Sequence, residues 1–127
     1  MDIFFPDPND PPRPPEEVRL RSLRAEPWPE GGRIKVYLEL TPFQKRPSAE
    51  VRLIDPVDTV AAQVSIVETF SHKLEFNLHL LPDSPAGKYT LDVTVYYQEL
   101  PTQEGPEARL PEPLITDHDQ YTFLIPG

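Results

Sequence analysis

Asp117-His118-Asp119 is the densest cluster of metal-binding and proton-carrying side chains in this sequence. A bound cation needs several ligands converging on one point. In an extended chain successive side chains point to opposite sides, so only two of the three can share an ion. No other ligand stands at a supporting spacing, so the triplet reads as a hydrated loop end and no metal is expected. Asp55, Asp58 and Asp83 fall in Asp-bearing loops of the kind calcium uses, with nothing to complete a coordination sphere. His72 falls in a turn and His79 on the outward side of an alternating run, both solvated positions. The sequence has no cysteine and no Gly-x-Ser-x-Gly, which removes the usual nucleophiles. Gly31-Gly32 leads into a strand pattern, so it is not a phosphate-cradling loop before a helix. No catalytic residue and no cofactor are expected. The remaining candidates are aromatic: Trp28 between two prolines, and Tyr37 and Tyr96 on outward faces, where rings can stack on sugars.

Composition narrows the classes further. The net charge of -9 is concentrated in two segments. Residues 1–17 carry five acids and one base, and residues 99–119 six acids and one base. Between them, residues 18–98 hold ten of each and are neutral. Ten of the 18 prolines lie in the same two acidic segments. Phosphate binding needs clustered Lys and Arg, so nucleic acid is disfavoured as a partner. No apolar run approaches the roughly 20 residues of a membrane span. Met1 is followed by an aspartate and only three apolar residues, unlike a secretory leader. With cysteine absent as well, a cytoplasmic protein is expected.

Candidate side chains need elements to hold them, and the alternation of apolar and polar residues supplies these. From Gly87 onward Tyr89, Leu91, Val93, Val95 and Tyr97 alternate with Lys88, Thr90, Asp92, Thr94 and Tyr96. A period of two with β-branched and aromatic residues predicts a strand with one buried face. Similar patterns predict strands over 18–25, 33–41, 49–54, 73–81 and 120–126. In the first, the inward phase passes from Val18 and Leu20 to Leu23 and Ala25, which requires a bulge or a change of sheet. Residues 57–69 fit a helix face too; their Val, Thr and Ile content favours a strand over 59–68. Seven short strands punctuated by turn residues predict an all-β, antiparallel sandwich spanning 18–127. The acidic segment 99–119 is expected to be a long loop before the last strand.

Asp83-Ser-Pro-Ala-Gly87-Lys-Tyr89-Thr-Leu91-Asp-Val93 resembles the start of the sixth strand in immunoglobulin-like domains. That resemblance implies an immunoglobulin-like or fibronectin-type sandwich in which the Tyr89 hydroxyl ties back to the preceding corner. The chain lacks the cysteine pair of antibody domains and has Trp28 in the first turn rather than a tryptophan on the third strand. Such a fold implies no activity by itself.

Residues 6–15, with proline at six of ten positions, form a stiff polyproline-like spacer. It carries an apolar hook, Ile3-Phe4-Phe5, at its far end. The expected function is therefore a non-enzymatic interaction or assembly module. It would bind a protein partner or a second copy of itself through the hook or through an edge strand. The alternative is a carbohydrate-binding module using Trp28, Tyr37 and Tyr96.

Overall fold

The computed structural model describes residues 10–98 and 112–126, and the expected all-β sandwich is what they form. A three-stranded sheet contains β1 (Leu20–Pro27), β2 (Arg33–Leu40) and β5 (Lys73–His79), in the order β1-β2-β5. A four-stranded sheet contains β3 (Ser48–Ile54), β4 (Val60–Ile66), β6 (Gly87–Tyr97) and β7 (Leu114–Ile125), in the order β4-β3-β6-β7. All pairings within the sheets are antiparallel. Residues 60–66 are thus a strand, which settles the helix alternative for that segment.

The inward residues of β2 (Ile34, Val36, Leu38, Leu40), β3 (Ala49, Val51, Leu53) and β6 (Tyr89, Leu91, Val93, Val95, Tyr97) are all buried in one core. Side chains of a strand alternate between faces, so the two inner faces interdigitate and the outer ones meet water. Tyr89 closes the corner before β6: its hydroxyl donates to the Pro85 carbonyl at 2.6 Å. Gly87 adopts φ +134°, and a Cβ there would stand 3.0 Å from Pro56 Cγ.

The phase change in the first strand is a bulge. Leu20 pairs with Leu40 and Ser22 with Glu39, leaving Arg21 as the extra residue. Strand β1 begins at Leu20 rather than at residue 18, although Val18 is buried as its inward phase requires. A 3₁₀ turn at Pro15–Glu17 precedes it. The proline-rich segment is docked from Asp10 onward. Arg13 bridges to Phe43, and its N–H donates to the Pro42 carbonyl at 2.8 Å. Arg21, freed by the bulge, pairs with Asp10.

The last strand differs most from expectation. It starts at Leu114, so the end of the expected 99–119 loop is strand and Asp117-His118-Asp119 lies within it. Polar residues on both sides and a bulge between Val95 and Tyr96, which leaves Thr116 unpaired, break the alternation there.

Candidate functional site

Strand geometry disperses Asp117, His118 and Asp119. Asp117 points toward the sandwich interior, where its Oδ2 accepts the Leu20 N–H of β1 at 2.8 Å. Asp119 accepts the following N–H, that of Gln120, at 2.8 Å. His118 lies on the outer face, and its Nε2 is 2.6 Å from Asp92 Oδ1. Among the described residues no three His, Asp or Glu side chains are placed to share a metal ion.

Asp92 is the unexpected member of this group. It lies on the outer face of β6 yet is only 3% exposed. Gln120 Nε2 donates to it at 2.9 Å and the Arg52 guanidinium at 3.2 Å, alongside the His118 contact. Burial alone would raise its pKa; the hydrogen bonds from Gln120, His118 and Arg52 and the charge of His118 outweigh that and hold it below the ordinary carboxylate value. A shielded carboxylate saturated by donors from both neighbouring strands fixes β3, β6 and β7 against one another. In sequence, an aspartate on the polar side of a strand reads as solvated, and its partners lie 40 positions upstream and 26 and 28 downstream.

The three aromatic candidates do not share a face. Tyr37 is on the outer face of the three-stranded sheet and Trp28 follows the end of β1; Tyr96 is on the outer face of the four-stranded sheet. Trp28 Nε1 donates to Asn77 Oδ1 at 2.9 Å, while the Arg33 guanidinium stands 4.7 Å above its ring. Arg24 covers Tyr37 at the same distance. A shallow groove of about 320 Å³ adjoins Tyr37, lined also by Arg24, Glu39, Lys73 and Glu75. His79 is exposed at the end of β5, and His72 is half-buried in the turn before that strand. Asp55 organises the β3–β4 turn: its Oδ1 accepts the N–H groups of Val57 and Thr59, each at 2.9 Å. The hook residues Ile3, Phe4 and Phe5 lie outside the described residues.

Edge strands are where a sandwich meets other chains, because their outer N–H and C=O groups have no ladder partner. Of the four edges that the described strands form, three carry protection. Strand β1 has the Arg21 bulge, Arg24, Glu26 and Pro27, and it lies against β7. Strand β7 carries the Thr116 bulge with Asp117 and Asp119, and β5 carries Lys73, Glu75 and His79. Strand β4 is Val-Ala-Ala-Gln-Val-Ser-Ile, with no charge and no proline. Its irregularity, at Ala61, leaves Ala62–Ile66 in regular register with β3. Gln63 Nε2 donates to Glu50 Oε1, and Ser65 Oγ to Glu50 Oε2 at 2.5 Å, so both outward polar side chains are turned toward β3. Inward, Ala62, Val64 and Ile66 are only half-buried, as are Leu74 and Phe76 across the seam on β5. Among the described residues the sandwich is closed on its β1/β7 side and open between β4 and β5. An uncharged run of Val, Ala and Ile was the sequence signal for this edge, but only sheet order reveals that the strand is terminal.

No known family profile matches the chain, and no curated protein matches it. Among solved structures the chain is similar to a β-glucuronidase of Ruminococcus gnavus, with a TM-score of 0.39 and 14% identity. That superposition covers 86% of this chain and 16% of the glucuronidase. A likeness this slight says nothing about activity. Among the described residues no helix is long and apolar enough to cross a membrane.

Proposed function

We propose that this chain is a non-enzymatic protein-interaction module of the immunoglobulin-like and fibronectin-type class, which takes an extended strand onto the free edge of β4. Two features favour the class. The fourth strand pairs with the third, giving three- and four-stranded sheets, and the Tyr89 hydroxyl ties back to Pro85. The observation that carries the function is β4 itself, an edge strand with neither a charge nor a proline to repel another chain.

In strand addition the main chain supplies affinity and the alternating side chains supply selectivity. The inner side of the docked strand would meet half-buried Ala62, Val64 and Ile66 together with Leu74 and Phe76, a surface for small or β-branched apolar residues. Its outer side would run beside Gln63 and Ser65, which favour small polar residues.

A fluorescent peptide of the sequence Val-Ala-Ala-Gln-Val-Ser-Ile, an uncharged strand former, serves as the probe. Its anisotropy should rise on titration with the full chain and fail to rise with a Gln63→Lys, Ser65→Lys double variant. Both substitutions are on the exposed face beside Glu50, so the sandwich keeps its core. Equal binding by the two proteins, or none by either at concentrations where the full chain is monomeric, overturns the edge reading.

A further inference from the structure

We infer that the strand occupying the β4 edge belongs to a second copy of this chain, paired antiparallel about a two-fold axis at Val64. The inference rests on the β4 edge reading and specifies the partner.

Four exposed apolar residues lie at the two ends of β4: Val57 (70% exposed) before it and Val60 (44%) at its first position, Val67 (70%) and Phe70 (85%) after it. A two-fold axis through the strand sets the start of one copy beside the end of the other. One symmetry operation therefore covers both pairs, bringing Val57 and Val60 of each copy toward Phe70 and Val67 of its mate. A foreign strand added to the ladder would have to carry matching apolar groups at both ends.

Register follows from the pleat. A slip by one residue would pair inward with outward side chains, so the axis must pass through a residue. Regular pairing runs over Ala62–Ile66, whose centre is Val64. About that axis Ala62 faces Ile66 of the other copy, a small group against a large one, and Val64 faces itself. Gln63 faces Ser65 on the outer side.

Electrostatics permits the approach despite the overall charge of -9. The docked residues Asp10, Glu16 and Glu17 adjoin the β1 region, and Asp117 and Asp119 lie on β7. Strand β7 is the opposite edge of the sheet from β4. Segment 18–98, which contains β4, has no net charge to repel its copy.

The absence of cysteine permits a direct test, since one introduced thiol reports alone. Light scattering behind a sizing column, run at increasing concentration on the full chain, should show a dimer. The Gln63→Lys, Ser65→Lys variant, which sets lysines opposite one another twice, should be monomeric. Under mild oxidation Val64→Cys, on the axis, should form a disulfide-linked dimer, because directly opposed strand residues lie about 4.5–5.5 Å apart. Val67→Cys should not cross-link. Its mate would stand six residues along the ladder, roughly 20 Å away. Circular dichroism of each variant checks the fold. A dimer that persists in the lysine variant, or in which Val67→Cys cross-links and Val64→Cys does not, overturns the two-fold. A monomer at every concentration also overturns it. If the β4 peptide still binds that monomer, the edge reading survives and the occupant is a strand of another protein. If the peptide fails as well, both readings fall.

Discussion

Two buried titratable side chains turn parts of the sandwich into pH-dependent supports, with opposite signs. The Tyr97 hydroxyl donates to the Lys45 carbonyl at 2.7 Å, and burial, then the Glu16 charge, push its pKa from 10.0 up to about 12. A folded-state value above the unfolded one means stabilisation that is complete below pH 10 and lost as pH rises toward 12. Tyr97→Phe should therefore cost about 1 kcal/mol at neutral pH, through the lost bond and the stranded carbonyl. Its deficit against the wild type should shrink through that alkaline window, as read by urea unfolding. Asp92 behaves in the reverse sense. Its folded pKa lies below the ordinary carboxylate value, so its stabilisation is present above that value and lost as pH falls through the lower folded one. Asp92→Asn weakens charge-assisted bonds from His118, Gln120 and Arg52 and should cost about 1–3 kcal/mol at neutral pH. The same unfolding experiment in acid should show that difference closing. A constant difference down the acid limb would mean that Asp92 does not act through its charge.

At the scale of elements, strand edges and turns are set by a few backbone positions. Gly87 opens β6 at φ +134°, where an added Cβ would press on Pro56 at 3.0 Å. Gly87→Ala should destabilise by about 1–3 kcal/mol, combining strained backbone with a contact that the β3–β4 turn must yield to. Full stability in thermal melts would mean that the turn gives way freely. The alternating strands were legible because their inward residues repeat every second position, as in β2 and β6. So was the bulge of β1, where Leu23 and Ala25 break the phase of Leu20. The beginning of β7 was hidden because an inward Asp117 and an unpaired Thr116 destroy the alternation, and both are explained by partners far away, Leu20 and Val95. The character of β4 was half legible. Its lack of charge is written in seven residues, whereas its position at the end of a sheet depends on the order of all the others. The Asp92 cluster needed three-dimensional register, since no local pattern distinguishes a carboxylate covered by neighbouring strands from one in water.

For the whole molecule, the two ends of the sandwich's cross-section divide the labour. On one side β1, β7 and residues 10–17 close the core: Leu20 is tied to Asp117, Arg21 to Asp10, and Arg13 to the backbone beside Phe43. On the other, β4 and β5 leave a seam whose inner residues are half-buried. This division sets the β4 edge, the interface proposed above, apart from the docked residues 10–17. A chain shortened to begin at Glu16 loses the Arg13–Pro42 and Gln44–Arg13 backbone bonds. It should be less stable by roughly 1–2 kcal/mol in urea unfolding. Because β4 lies at the opposite edge of the sheet from β7, the shortened chain should keep the full chain's oligomeric state in light scattering. The double substitution Phe4→Ser, Phe5→Ser should keep it as well. If instead both variants become monomers while the β4 lysine variant stays associated, the hook is the assembly device and the uncharged edge is idle. If all three lose association, the hook acts through the same interface as β4.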